Sequence, residues 1–184
     1  MRNLIFAINT TLDGNCDHTK GIADDETHEY YTNLLRSVDL LLFGRKTYEL
    51  MVPFWPDVAE SQSETKAINE FARTFDALPK VVFSRTLASV EDKNTRIIHT
   101  DLEGAIRKLK REAGKSILVG GVSIPSQLIE LGLVDEYRFV VAPILAGAGP
   151  RLMEGASLPE TLQLKLVESK TLRSGCIALR YVKE

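Results

Sequence analysis

Short runs of apolar residues alternate along most of the chain with segments in which apolar residues recur at helical spacing. Apolar runs this short and unbroken are typical of strands buried on both faces of a parallel sheet. The predicted strands cover residues 4–8, 40–43, 80–83, 96–99, 116–119 and 135–141. The predicted helices cover residues 25–36, 45–51 and 64–77, then residues 102–113 after a Thr100 cap and residues 124–131 after a Ser123 cap.

The end of the chain has a different pattern. Apolar and polar residues alternate over residues 162–166 and 177–181, on either side of a turn at residues 174–175. Alternation with a period of two predicts an antiparallel hairpin. The expected fold class is therefore α/β, with parallel strands first and an antiparallel edge last.

Composition limits the classes of function. A chain of 184 residues with 44% hydrophobic and 26% charged residues fits a single globular domain over residues 1–184. A net charge of −2 argues against a nucleic-acid partner, and no apolar run approaches membrane-spanning length. Cys16 and Cys176 give no disulfide framework, so the cytoplasm is the expected location. Without distant partners, Cys16 and His18 predict no metal site.

The strand at residues 40–43 ends in a turn suited to phosphate. Gly44 breaks the apolar run and a helix follows, so free backbone N–H groups and the helix dipole favour an anion there. Arg45 and Lys46 add positive charge, and Thr47 adds a hydroxyl donor. The alternative is an ordinary strand–helix turn with two solvated basic residues.

Two further strands end in turns of similar chemistry. Ser84 and Arg85 follow one of them, and a guanidinium can bind phosphate through two parallel hydrogen bonds. Gly120 and Gly121 follow the other and allow close approach of the backbone to a ligand. Three such turns indicate one extended ligand with several phosphates. Two arginines would also suit the additional ribose phosphate that distinguishes NADPH from NADH.

The same turns carry a family resemblance that extends over nearly the whole chain. The chain resembles the dihydrofolate reductase superfamily, especially the branch that holds the reductase domain of riboflavin biosynthesis. The motifs concerned are Thr-Leu-Asp-Gly at residues 11–14, Leu-Phe-Gly-Arg-Lys-Thr-Tyr-Glu at 42–49, Val-Phe-Ser-Arg at 82–85, Leu-Val-Gly-Gly at 118–121, Leu-Val-Asp-Glu at 133–136 and Ala-Pro-Ile-Leu-Ala-Gly-Ala-Gly at 142–149.

The resemblance implies an eight-stranded mixed sheet flanked by helices, with NADPH lying across the strand ends. It also implies a peptide between Gly120 and Gly121 that is often cis, and it suggests a homodimer. Residues 44–47 and 120–124 would hold the diphosphate, and Arg45, Ser84 and Arg85 the adenosine end. The full implied cofactor set is Ala7, Gly44, Arg45, Lys46, Thr47, Ser84, Arg85, Gly120, Gly121, Val122, Ser123 and Ile124.

Residues near the substrate are also implied by the resemblance. Asp13 fits the riboflavin-type branch, in which the Leu-Asp-Gly turn faces the substrate, and Tyr48 is the second candidate catalytic residue. Dihydrofolate reductases hold folate with a carboxyl group on the first helix, and spacing from Gly44 puts that position near His28, with Glu26 and Glu29 beside it. Trp55, in a proline-flanked segment expected to be an irregular loop, either lines the substrate pocket or packs in the core.

The expected function is therefore NADPH-dependent transfer of a hydride to a small heterocyclic or carbonyl compound. This activity would be similar to that of 5-amino-6-(5-phosphoribosylamino)uracil reductase or dihydrofolate reductase. A protein that binds NADPH as a sensor, without catalysis, is the alternative. A phosphate-ester binding domain without a preference for dinucleotides is a third hypothesis.

Overall fold

The computed structural model describes residues 1–158 and 160–184. The described strands are β1 (Leu4–Thr11), β2 (Val38–Gly44), β3 (Lys80–Phe83), β4 (Thr95–Ile98), β5 (Ser116–Val119), β6 (Glu136–Ala142), β7 (Leu164–Thr171) and β8 (Ile177–Lys183). They form one eight-stranded sheet in the order β4-β3-β2-β5-β1-β6-β8-β7. The expected α/β fold with a mixed sheet is confirmed.

The register separates a parallel part of the sheet from an antiparallel part. Strand β2 pairs with β3, β3 with β4 and β1 with β6, all in parallel. Strand β8 pairs antiparallel with β6 and β7, so the predicted terminal hairpin is confirmed. The outermost strand, β7, contains an irregularity between Leu166 and Glu168.

The helices are α1 (Asp25–Arg36), α2 (Arg45–Met51), α3 (Phe54–Ser61), α4 (Lys66–Ala77), α5 (Leu102–Arg111) and α6 (Ser123–Glu130), with a short 3-10 helix at His18–Lys20. Among the residues described, none of these helices has the length and apolar character needed to cross a lipid bilayer.

Two compact units divide the chain. The first contains Met1–Arg2 and Ala23–Leu118, and the second contains Asn3–Ile22 and Val119–Glu184. In the first unit, Leu41, Leu42, Val81 and Val82 of the central strands are fully buried. This burial explains why these strands appear in the sequence as unbroken apolar runs.

The core of the second unit is built around Phe6 of β1. Its ring lies edge-to-face against Tyr137 and Phe139 of the neighbouring β6, with centroids 6.4 and 5.8 Å apart. Such edge-to-face pairs add to the stabilisation that burial of the rings provides. Leu128 of α6 is also fully buried.

Helix α3 corrects one sequence prediction. Residues 53–56 were expected to form an irregular loop around Trp55, but α3 begins at Phe54 and includes Pro56 in its first turn. The N–H groups of a first turn have no acceptor inside the helix, so a proline there removes no hydrogen bond. The two prolines therefore mark the start of a helix.

Two predicted caps are wrong. Asp101, and not Thr100, caps α5, because its carboxylate accepts the Gly104 N–H at 2.9 Å. Glu103, expected to complete the cap, pairs instead with Arg107 one turn further along at 2.8 Å. Helix α6 has Val122 at its cap position, so Ser123 is its first residue. For α1, the sequence offers Asp24 or Asp25 as the cap, and the structure shows that it is Asp24.

Candidate functional site

The carboxyl ends of three neighbouring parallel strands lie side by side in the first unit. Gly44 of β2 is in register with Phe83 of β3, and Phe83 is in register with Ile98 of β4. The residues that follow these positions therefore share one edge of the sheet, which is where open α/β sheets bind ligands. We call this set the cationic edge; it consists of Arg45, Lys46, Ser84, Arg85 and His99.

Positive charge at the cationic edge is largely uncompensated. Arg45 is exposed, and its Nε lies 4.0 Å from the carboxylate of Glu49, at the limit of an ion pair. Lys46 and Arg85 are also exposed, and neither has an ion-pair partner within the described ranges. An exposed set of cations with so little opposing charge attracts anionic groups such as phosphates.

Ser84 shapes the turn that presents Arg85. Its hydroxyl oxygen accepts hydrogen bonds from the N–H groups of Thr86 at 3.2 Å and Leu87 at 2.9 Å. Its carbonyl oxygen accepts a hydrogen bond from His99 Nδ1 at 2.9 Å. The side chain of Ser84 is thus buried and engaged in the turn, and it retains one hydroxyl proton that can be donated to a ligand.

Backbone donors accompany the cations in this unit. Gly44 caps α2 without a side-chain hydrogen bond, so the N–H groups of the first turn have no side-chain acceptor. The half-buried Thr47 lies in the same turn. N–H groups and a hydroxyl of this kind can donate to phosphate oxygens, and the assignment of residues 44–47 to the diphosphate stays a prediction.

The glycine turn predicted for the cofactor lies in the second unit. Gly121 has φ of +93°, a left-handed conformation that favours glycine, and α6 starts two residues later without a side-chain cap. No cis peptide occurs in residues 1–158 and 160–184, so the peptide between Gly120 and Gly121 is trans, contrary to the expectation from the resemblance. Ala7 is buried inside β1, in register with Arg138.

Asp13, in the second unit, is held by the loop that follows β6. Its carboxylate accepts hydrogen bonds from the Thr11 hydroxyl and from the N–H groups of Ala146 at 3.1 Å and Gly147 at 2.7 Å. These hydrogen bonds lower the pKa of Asp13 to about 2, and the bond from the Thr11 hydroxyl has the largest effect. Asp13 is therefore ionised at neutral pH, where it can accept hydrogen bonds but cannot supply a proton.

Further hydrogen bonds join the two loops that contain Asp13 and Gly147. Asn15, which is 1% exposed, donates from its side chain to the carbonyl of Ala148 at 3.0 Å. Arg151 donates to the Asp13 carbonyl and, at 3.1 Å, to the Gly147 carbonyl. We call residues 11–17 and 144–151 the Asp13 loop pair. The side chains of Asp13, Asn15 and Arg151 all have hydrogen-bond partners within the protein, which favours a loop shape that does not require a ligand.

Tyr48, a candidate catalytic residue, does not face the cationic edge. Its side chain is buried beside Asp92, and burial, together with the Asp92 carboxylate, raises the pKa of its phenol. Asp92 pairs with Lys80 and Thr95, the first residues of β3 and β4, at 3.4 and 2.6 Å. The Tyr48 hydroxyl is therefore directed to the amino ends of these strands, which is the opposite edge, and the structure gives no support for its catalytic role.

His28 and Trp55, both predicted to contact the substrate, are in contact with each other. Their rings meet edge-on with centroids 5.9 Å apart, and both contact Phe71. His28 Nδ1 lies 2.8 Å from the carbonyl oxygen of Asp24, which can only accept, so Nδ1 carries the proton and Nε2 of the neutral ring is an acceptor. The Trp55 side chain is half-buried, so it packs in the core and also has a solvent-accessible part.

Three residues of these sites were missed from the sequence. His99 follows a predicted strand just as Ser84 does, and the strand-end rule applied to Ser84 would have identified it. Asn15 and Arg151 gave no usable signal, because their partners are more than 100 positions away or are backbone atoms.

Comparison with solved structures shows that the chain has a dihydrofolate reductase-like fold. A candidate riboflavin biosynthesis protein from Shewanella sp. PV-4 superposes with a TM-score of 0.74 at 20% identity, covering 100% of this chain and 99% of that one. A Thermotoga maritima diaminohydroxyphosphoribosylaminopyrimidine deaminase/5-amino-6-(5-phosphoribosylamino)uracil reductase gives 0.68 at 17% identity, covering 100% of this chain and 57% of that one.

The family model described as RibD C-terminal domain matches residues 2–178. The chain therefore belongs to the RibD C-terminal domain family. Among curated proteins, it is 30% identical over 184 residues to the uncharacterized protein YyaP of Bacillus subtilis (strain 168), with 98% of this chain and 94% of that protein covered.

Proposed function

We propose that the protein is an NADPH-dependent oxidoreductase that transfers a hydride to a small planar heterocyclic or carbonyl compound. The observation that supports the proposal most directly is the cationic edge. Arg45, Lys46 and Arg85 follow two neighbouring strands, are exposed, and have little opposing charge at the strand ends where open α/β sheets bind ligands.

NADPH suits the cationic edge better than NADH does. The two cofactors differ by one phosphate on the adenosine ribose, and two guanidinium groups can bind that phosphate through charge-assisted hydrogen bonds. When bound, the cofactor supplies the hydride. The chain would hold the phosphates with Arg45, Lys46 and Arg85 and with the uncapped N–H groups at the start of α2.

The substrate would be held by groups that orient a flat ring. Trp55 and His28 offer an aromatic surface with one hydrogen-bond acceptor at its edge. Asp13, in the second unit, is a separate candidate, because its pKa of about 2 leaves it ionised and able to accept a hydrogen bond from an N–H or O–H group. The proton that accompanies the hydride would then come from water.

Relatives support a nitrogen heterocycle as the first substrate class to test. The Thermotoga maritima protein that shares this fold is named as a reductase of a phosphoribosylaminouracil. Pyrimidines of that kind are planar and carry both N–H and carbonyl groups. Their N–H groups can donate to an acceptor such as Nε2 of His28, which a purely apolar compound cannot do.

A sensor that binds NADPH without using it remains the second hypothesis. The hydrogen bonds of Asp13 favour the sensor hypothesis. A carboxylate that accepts from backbone N–H groups of its own protein can have a structural role in the loop without taking part in catalysis. An enzyme and a sensor would bind the cofactor equally well, so only turnover separates the two hypotheses.

Titration with NADPH is the first test. The chain has one tryptophan, so binding should quench Trp55 emission or transfer its energy to the reduced nicotinamide, and should raise the melting temperature. Loss of absorbance at about 340 nm with pyrimidines, pterins or simple carbonyl compounds would then establish reduction. Binding without consumption of NADPH by any of these compounds would favour the sensor. No binding of NADPH would refute both hypotheses.

We also propose that the protein is a homodimer of the cytoplasm. Leu166, Val167 and Ile177 of the terminal hairpin are 42–50% exposed, which is unusual for large apolar side chains of a monomer. Cys16 and Cys176 are both free thiols, as expected in a reducing compartment. Light scattering after size-exclusion chromatography would give the mass in solution, and the mass of a single chain would refute the dimer.

A further inference from the structure

We infer that His99 recognises the amino group of the adenine ring of the bound cofactor. The inference rests on the proposed function, since it requires that NADPH lies on the cationic edge. It assigns a role in base selection to a residue that was not among the predicted site residues.

The hydrogen-bonding state of the imidazole follows from its partner. His99 Nδ1 lies 2.9 Å from the carbonyl oxygen of Ser84, and a carbonyl oxygen can only accept a hydrogen bond. Nδ1 therefore carries the proton, and in the neutral ring Nε2 presents a lone pair. The same bond fixes the ring next to the turn that presents Arg85.

Backbone pairing strengthens this placement. The Ser84 N–H donates to the carbonyl of Ile98, the residue before His99, at 3.1 Å. His99 is thus attached to the Ser84 turn through both its main chain and its side chain, while the residue as a whole is exposed. A ring held this firmly at the surface loses little conformational freedom when a ligand binds.

The order of strands determines which part of the cofactor reaches His99. Arg45 and Arg85 follow β2 and β3 and would bind the phosphate on the adenosine ribose. His99 follows β4, one strand further from β2. The adenine ring is attached to that same ribose, so a base extending along the edge past Arg85 would meet the imidazole.

The chemistry at Nε2 favours adenine over hypoxanthine. Adenine presents an exocyclic amino group, which is a donor and matches the lone pair of the neutral imidazole. Hypoxanthine has a carbonyl oxygen at that position, and two acceptors facing each other would leave both without a hydrogen bond.

The experiment compares the affinity for NADPH with that for its hypoxanthine analogue, using Trp55 emission as the readout. Wild type should prefer NADPH by roughly tenfold, as one hydrogen bond of about 1.4 kcal/mol predicts. His99→Ala should reduce the preference to less than about twofold. His99→Gln should bind both cofactors, since an amide can donate as well as accept.

His18→Ala is the matched control. It removes another exposed histidine, one that lies beside Asp17 in the second unit, and it should keep the wild-type preference. Melting temperatures of all variants would verify folding, and His99→Gln tests the same prediction if the alanine variant is unstable.

The ratio of affinities separates recognition from a purely structural role. If His99 only supports the Ser84 turn, its removal lowers the affinity for both cofactors equally and the preference for NADPH stays near tenfold. That result would overturn the inference. Equal affinity of wild type for both cofactors would also overturn it while leaving the proposed function intact. Failure of wild type to bind either cofactor would refute the proposed function itself.

Discussion

The Asp13 loop pair and the cationic edge differ in whether their charged groups have partners within the protein. Asp13 accepts from a hydroxyl and two backbone N–H groups, and the Arg151 guanidinium lies 3.7 Å from its carboxylate. At the cationic edge, Lys46 and Arg85 have no ion-pair partner in the part of the chain that the structure describes. Charge that is satisfied internally holds a loop in place, whereas charge left unsatisfied is available to a ligand.

This difference separates two kinds of contribution to function. The loop pair is preorganised, so changes there should appear in the stability of the free protein. The cationic edge carries mutual repulsion that a bound anion would relieve, so changes there should appear in affinity and leave stability nearly unaffected or slightly improved.

The largest expected effect is that of Gly149→Ala on stability. Gly149 has φ of +153°, and a Cβ atom there would overlap the side-chain amide of the buried Asn15. We expect a loss of about 2–4 kcal/mol in the free energy of unfolding, from backbone strain and the displaced amide together. Urea denaturation followed by circular dichroism would measure it.

Gly147→Ala is the control for this substitution. Gly147 also has a positive φ, +75°, but a Cβ atom there would meet nothing within 4 Å. The expected loss in the free energy of unfolding is therefore only about 1 kcal/mol, from placing alanine in a left-handed conformation. Equal losses for the two variants would show that the contact between Gly149 and Asn15 does not hold the loop pair together.

Arg45→Ala should have the next largest effect, on cofactor affinity. Loss of one charge-assisted contact to the additional ribose phosphate should weaken NADPH about tenfold or more and NADH hardly at all. Arg107→Ala, which removes an exposed arginine paired with Glu103 on α5, is the control. If Arg45→Ala weakened both cofactors equally, Arg45 would not contact that phosphate.

The smallest expected effect is the pH dependence due to Asp13. Its pKa is lowered in the folded protein from 3.8 to about 2, so its contribution to stability is fully present above about pH 4 and is lost as the pH falls towards 2. Asp13→Asn should therefore be less stable than wild type at pH 7, and the two should converge in acid. A difference that persisted unchanged at pH 2 would show that the charge of Asp13 does not matter.

The sequence was sufficient for elements whose patterns are local. Strands at residues 80–83 and 116–119 were predicted with their observed bounds, because buried parallel strands have no polar interruptions. Helix α3 was missed because Pro53 and Pro56 suggested a loop, although a proline in a first turn costs no hydrogen bond.

The sites were predictable only in part. The strand-end rule predicted Arg45 and Arg85 as a phosphate site, and the register of β2 and β3 shows that the strands before them end at the same edge of the sheet. The burial of Tyr48 beside Asp92 could not be predicted, because a helical pattern alone does not show which neighbouring element a side chain contacts. The low pKa of Asp13 was not foreseeable, because two of its three hydrogen-bond donors come from a loop 133 and 134 positions away.

The irregularity in β7 has a consequence for the outer border of the sheet. An outermost strand offers unpaired backbone groups on which another strand can grow, and a break in pairing combined with charged residues discourages that growth. In β7 the break lies between Leu166 and Glu168, and Lys165 and Lys170 flank it. An internal deletion of β7 would leave β8 as the edge strand, with Ile177, Ala178 and Leu179 in succession. A chain with this deletion should therefore form fibrils or precipitate more readily.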